Sequence, residues 1–250
     1  MHFQIASDFH LEKLKDYDIN ELIKPSAPYL VLAGDIGSLY RFDQLKEFLE
    51  RICKLFVGVL YIPGNHEFYT IKGQRGVNFI DLIKKLESLE KYIDNLYILN
   101  RQVVKIDKYC FIGCILWSHC PEEEKFPTFR VKIHNFNKNK YNRFNKEDIS
   151  FVNNAVNVCI DNGFIPIVVT HYPPSKKLLN KKNIKNGYNY LYANDLEHML
   201  DGNNIPIWIC GHTHWCFDLI SDNGTRLLGN QKGTKKNDTT YQNDYVISIN

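Results

Sequence analysis

The stretch Tyr29 to Gly37, YLVLAGDIG, limits what this chain can fold into more than any other part of it. Five apolar residues run without a polar interruption into Gly34, Asp35 and Gly37. A short apolar run closed by glycines is the pattern of a strand buried on both faces, as in parallel sheets. A carboxylate at the end of such a strand is costly to desolvate unless something positive lies beside it. In open α/β sheets the ligand crevice lies outside the carboxyl ends of the strands, where Asp35 would sit. Taken alone, Asp35 reads as a turn or cap residue; the other strand ends change that.

Four more strand-like runs end on polar residues of the same kind. HFQIAS meets Asp8 and His10, VGVLYI meets Asn65 and His66, IPIVVT meets His171, and Ile205 to Cys210 meets His212 and His214. Helical periods are expected over Asp18–Lys24, Asp43–Lys54, Val77–Tyr92, Glu147–Ile160 and Ala193–Leu200. Buried strands alternating with helices predict a layered α/β arrangement with right-handed crossovers. From Leu96 the strands become closely spaced, over 97–99, 102–106 and 109–116, which predicts entry into a second sheet. Strands over 216–221, 225–228 and 245–249 finish the chain. Residues 118–145 are polar, aromatic and weakly periodic, and are expected to form an excursion over one edge. Without a repeat or a long linker, residues 1–250 read as a single domain.

Composition removes several function classes. A formal net charge of +3 gives no general basic field for nucleic acid. The basic clusters Lys138, Lys140, Arg143, Lys146 and Lys176, Lys177, Lys181, Lys182, Lys185 read as solvated surface. No apolar run is long enough for a membrane span, and the chain opens on a strand-like segment, so no signal peptide and a cytoplasmic location are expected. The seven cysteines form no CxxC pair. Cys110, Cys114, Cys159 and Cys210 lie in apolar runs, as small core residues do.

The strand ends together supply Asp8, His10, Asp35, Asn65, His66, His171, His212 and His214. Parallel strands would bring them to one edge. Imidazole mixed with carboxylate suits Mn, Fe, Zn or Ni. Two such ions about 3.5–4 Å apart clamp the attacking and leaving oxygens of an in-line displacement at phosphorus. Holding like charges that close needs a shared carboxylate, and Asp35 is the natural one.

In this order, DFH, GDIG, GNHE, THYPP and GHTH resemble the calcineurin-like metallophosphoesterases, over essentially the whole chain. The resemblance implies a four-layered α/β/β/α sandwich of two mixed sheets flanked by helices. It implies two divalent metal ions, Mn first, with Fe, Zn, Ni or Mg as alternatives. Asp8, His10 and His214 would hold one ion, Asn65, His171 and His212 the other, and Asp35 would bridge them. His66 would face the substrate and protonate the leaving oxygen, and Asp8 would combine ligation with a catalytic role. The implied reaction is hydrolysis of a phosphodiester or phosphomonoester by a metal-bridging hydroxide. Glu67 reads equally as a residue orienting a histidine or as a solvent-facing turn residue. Trp117 reads as packing, and Phe68, Tyr69, Lys72, Arg75, His119 and Arg130 as surface or substrate contacts. A small phosphate ester is the expected partner, with no membrane partner and the oligomeric state left open. Besides a protein phosphatase, whose hallmark extra arginines have no clear counterpart here, two alternatives remain. One is a nuclease acting on DNA or RNA, for which only 118–145 would serve as a cap. The other is a non-catalytic scaffold, as in one branch of the family, against which the intact His66 argues.

Overall fold

The computed structural model of the chain describes residues 1–180, 187–234 and 240–249. Lys181, Lys182 and Lys185, expected as solvated surface, lie outside them. Two sheets face each other. The first runs β11 (Val246–Ser248), β1 (His2–Ala6), β2 (Tyr29–Ala33), β3 (Gly58–Ile62) and β4 (Leu96–Ile98). Only β11 is antiparallel to its neighbour. The second runs β5 (Gln102–Ile106), β6 (Tyr109–Cys114), β7 (Ile165–Thr170), β8 (Ile207–Ile209), β10 (Arg226–Gly229) and β9 (Phe217–Ile220). There the two edge strands are antiparallel and the four central ones parallel.

Side chains alternate across each strand, so each sheet has an inner and an outer face to bury. Phe3, Ile5, Val31, Ala33, Leu60 and Ile62 of the first sheet meet Phe111, Ile167, Val169, Ile209 and Leu228 of the second. Phe3 packs edge-to-face on Phe111 with ring centroids 5.5 Å apart. The outer face of the first sheet is covered by α1 (Ile19–Leu22), α2 (Phe42–Cys53) and α3 (Phe79–Glu87) through Leu45, Phe48, Leu82 and Leu86. The outer face of the second is covered by α4 (Lys138–Asp161), whose Val152, Val156 and Cys159 pack with Cys110, Ile112 and Val168. The result is the expected four-layered α/β/β/α sandwich of two mixed sheets.

Two expected boundaries are corrected. The helix expected from Glu147 starts at Lys138, so the last eight residues of the expected excursion, 138–145, are its first two turns. The asparagines that hid it are poor helix formers, yet two of them, Asn142 and Asn145, lie on its buried side and bind chain that has left the sheet. Asn142 accepts from the Cys120 amide at 2.9 Å and donates to the Cys120 carbonyl at 2.8 Å. Asn145 donates to the Trp117 carbonyl and to Asn194, and Asp148 accepts from the Trp117 amide. Polar side chains thus supply the partners that a neighbouring strand would have given segment 117–120. The second correction concerns Ala193–Leu200, where only Glu197–Met199 forms a 3-10 turn. The amides of Asn194 and Leu196 bond instead to the carbonyls of Pro173 and Pro174, at 3.0 and 2.9 Å. Trp117 is buried among Phe79, Phe136, Tyr141 and Tyr172, as packing requires.

Asn145→Ala strips a partner from both the Trp117 carbonyl and the Asn194 side chain. It is expected to lower the unfolding free energy by about 1–3 kcal/mol, read by urea denaturation; an unchanged midpoint would show that this stripe does not brace the segment.

Candidate active site

Register explains why distant residues meet. Ala6 pairs with Leu32, and Ala33 with Ile62, so the chain leaves β1, β2 and β3 at one level, just before Asp8, Asp35 and Asn65. In the other sheet Val169 pairs with Ile209, which brings His171 beside the turn holding His212 and His214. The sheets are tied at this edge. The His212 amide donates to Asp8 and the Lys232 amide to the Ser7 carbonyl, while within the second sheet the Gly211 amide donates to the His171 carbonyl at 3.0 Å.

The turns are tight. Asp8, His10, Asp35, His212 and His214 all have φ between 51° and 72°, the left-handed region. Such backbone costs a non-glycine residue on the order of 1–3 kcal/mol and persists only where surroundings over-determine it. Gly34 shares the left-handed backbone with φ 88°, and both Gly34 and Gly64 answer a need for space. A Cβ on Gly34 would lie 2.3 Å from His171 Nδ1, and one on Gly64 would lie 2.3 Å from Asp35 Oδ1.

Seven of the eight residues named from the strand ends converge in two groups, and His66 lies beside them with His10 and Glu12. Asp8, His10 and His214 offer donor atoms within 4.8 Å of one another, and so do Asp35, His171 and His212. In the first group His10 Nε2 faces His214 Nε2 at 3.0 Å, and His214 Nε2 lies 3.4 Å from Asp8 Oδ1. In the second, His171 Nε2 lies 3.0 Å from Asn65 Oδ1 and 3.3 Å from Asp35 Oδ1. Asp35 faces both groups: Oδ1 towards His171, and Oδ2 towards His10 Nε2 at 3.8 Å.

The polarity of these contacts calls for positive charge. His171 Nδ1 lies 2.9 Å from the Ala33 carbonyl, so both ring nitrogens face oxygen acceptors. A neutral imidazole has one proton and cannot satisfy both. Burial alone would lower the His171 pKa, but the charge of Asp35 raises it to about 9. Burial and the charge of His171 push His212 down to about 3. Burial disfavours the charged form of Asp35, yet His171 and His66 hold it well below the usual carboxylate range; Asp8 is lowered in the same way by His214. Two buried carboxylates ringed by lone pairs of imidazole form a donor set that fits divalent cations.

His66 stands apart from both groups. It is one-quarter exposed, its amide donates to Asp35 Oδ1 at 2.8 Å, and its Nδ1 lies 3.1 Å from Glu12 Oε1. Glu12 was missed by sequence reasoning, because a carboxylate two residues past His10 reads as loop surface. Only the 3-10 turn Leu11–Lys13 brings it under the histidines, where His10 and His66 offset its burial and hold its pKa at about 2.

Glu67 is neither a histidine orienter nor a solvent-facing turn residue. It is fully buried and accepts from the amides of Asp35, Ile36 and Gly64 and from the Tyr61 hydroxyl, at 3.1, 2.7, 2.8 and 2.7 Å. Every partner is a donor, so the carboxylate clamps the turn after β2 to the turn after β3. Phe68 is also core rather than substrate contact. Lys72 lines a neighbouring groove, whereas Tyr69 and Arg130 line a cavity of about 640 Å³ whose floor is Asp35, Asn65, His66, His212 and His214.

Comparison with known proteins adds to this geometry. The model of the family described as "Calcineurin-like phosphoesterase" matches residues 1–216. An uncharacterized protein of Acanthamoeba polyphaga mimivirus is 30% identical over 262 aligned residues, covering 91% of this chain and 89% of that protein. The [acyl-carrier-protein] phosphodiesterase PptH of Mycobacterium tuberculosis is 35% identical over 66 residues, 26% of this chain and 20% of that one. The crystal structure of the M. tuberculosis phosphopantetheinyl hydrolase PptH superposes with a TM-score of 0.72 at 17% identity, covering 94% of this chain and 90% of that one. A dimetal phosphatase from Danio rerio superposes with a TM-score of 0.54 at 11% identity, covering 91% and 86%. At such identities the superpositions speak for the fold.

Glu67→Ala removes the acceptor of four buried amides, those of Asp35, Ile36, Gly37 and Gly64, and of a hydroxyl. It is expected to cost at least about 3 kcal/mol, measured by chemical denaturation; a loss under about 1 kcal/mol would mean the two turns hold together without it.

Proposed function

The chain belongs to the calcineurin-like phosphoesterase family and is by class a metal-dependent phosphoric ester hydrolase; from that premise we propose that it cleaves a phosphodiester, with phosphomonoesters second, at a dinuclear centre. The observation that carries this reading is the Asp35 carboxylate, with one oxygen turned to each donor group. Asp8, His10 and His214 would hold one ion and Asn65, His171 and His212 the other, with Asp35 placed between the two groups. When bound, the pair supplies Lewis acidity that activates the attacking water and offsets charge on the phosphoryl oxygens. Manganese is the first ion to try, with iron, zinc, nickel and magnesium as alternatives. The phosphodiester preference is supported by the similarity to a protein described as a phosphodiesterase.

The protein's own groups do the rest. His171 Nδ1–H donates to the Ala33 carbonyl, which fixes the tautomer and aims Nε2 at the centre. His212 Nε2 is held by the Leu191 carbonyl at 3.2 Å, which leaves Nδ1 as its ligand atom. The Asp35 contact to the His66 amide fixes the backbone of that residue. Glu12 accepts from His66 Nδ1, so Nε2 is the atom that delivers a proton to the leaving oxygen. Asp8, buried against the His212 amide and Ser7, acts by holding the GHTH turn and an ion together.

Metal-free protein given Mn, Ni, Zn or Mg in turn is expected to hydrolyse bis-p-nitrophenyl phosphate; folded protein inactive with every ion would overturn the reading in favour of a scaffold. His66→Ala is expected to keep both ions and lose about 10²- to 10⁴-fold in kcat, whereas Asp35→Asn loses metal. Metal analysis finding His66→Ala stripped of ions would reverse these roles.

Glu12→Gln separates positioning from packing. Its loss in kcat is expected to grow as the leaving group becomes more basic, from p-nitrophenol to an alkyl alcohol, with KM little changed. An equal loss for all leaving groups would remove Glu12 from proton delivery.

A further inference from the structure

The cavity above the donor groups is larger than one phosphate requires. Its volume of about 640 Å³ falls in the range of sites for ligands of many heavy atoms. Its lining also carries two cations, Arg130 and Lys132, set among Tyr69, Phe129 and Tyr192. The Arg130 guanidinium lies 4.4 Å from the centroid of the Tyr188 ring, and its Nη1 donates to the Tyr192 hydroxyl at 3.2 Å. Those contacts fix the plane of the guanidinium and leave its charge unpaired. Among the described residues it makes no ion pair, and its buried Nε finds no acceptor. Lys132, likewise without an ion pair among the described residues, spends only its backbone carbonyl, on the Thr70 amide.

A preset guanidinium with donors to spare, in a cavity whose one carboxylate among the described residues is Asp35, is suited to a phosphate group. Asp35 is committed to the histidines and to the ions proposed above. We propose that Arg130, held by Tyr188 and Tyr192 and assisted by Lys132, is a subsite for a second phosphate on the substrate, borne on the part of the molecule that flanks the scissile ester. The substrate class is then an organic ester with two phosphate groups, one at the metal centre and one on the Arg130 wall. This rests on the phosphoesterase reading for the first phosphate but makes a separate claim about the second.

The test compares propane-1,3-diyl bisphosphate with propyl phosphate, which differ only in the second phosphate, by titration calorimetry against the metal-loaded full chain. The bisphosphate is expected to bind at least about 10-fold more tightly to the native protein, the size of one charge-assisted contact. In Arg130→Ala that advantage falls below about 3-fold. Arg130→Lys, which keeps the charge but not the planar fork, retains part of it. Tyr192→Phe removes one hydroxyl that anchors the guanidinium; it is expected to lose part of the advantage and serves if the alanine variant fails to fold. Equal affinity of the native protein for both ligands overturns the proposal, as does a preference that survives in both Arg130→Ala and Tyr192→Phe. The two readings fail separately. Native protein that prefers the bisphosphate but never hydrolyses bis-p-nitrophenyl phosphate keeps the subsite and loses the phosphoesterase reading; hydrolysis without any preference does the reverse.

Discussion

Two fully buried carboxylates at the seam between the sheets, Asp8 and Asp35, set the terms for everything around them. An ionised carboxylate without water is stable only when opposite charge and donors surround it. The chain meets that demand from both sheets at once: His171 from the second sheet reaches Asp35, and the His212 amide reaches Asp8. Neither sheet alone could bury these groups. The centre is therefore part of what aligns one sheet on the other, as well as the place where chemistry happens.

That arrangement carries a conformational cost. Five of the residues that line the centre sit in left-handed backbone, and none is a glycine. Neighbouring glycines give up their side chains so that His171 and Asp35 can approach the turns. Glu67 gathers amides from two turns onto one buried carboxylate, and this rigid backing holds the strained residues in place. Local strain tolerated at a site and balanced by buried hydrogen bonds next to it is the usual mark of a functional constraint.

The long helix α4 shows a second use of buried polar groups. Its inner side carries Asn142, Asn145 and Asp148 where an ordinary amphipathic helix would carry apolar residues. They hold segment 117–120, and Asn194 joins the same network through the Leu116 carbonyl. This braces the chain next to the loops whose residues Arg130 and Tyr192 line the cavity. Binding surface and scaffold are thus linked by side-chain amides, not by a sheet ladder.

From the sequence alone came the layered α/β plan, the strands and the eight residues at their ends, because apolar runs and glycine stops are local signals. Family resemblance supplied the four-layered sandwich, and the fold agrees with it. Helix α4 begins earlier than its apolar period predicts, because asparagine has weak helical propensity and only the tertiary contacts of 117–120 reward it there. Glu12, Glu67 and Arg130 carry no local signal that separates them from surface charge. Tertiary structure alone decided their parts: a 3-10 turn placed Glu12 against His66, the meeting of two turns buried Glu67, and a ring from a segment nearly sixty residues away fixed Arg130 over the cavity. A side chain's charge is written in the sequence; whether that charge finds water, a carboxylate or a cavity depends on which distant backbone folds against it.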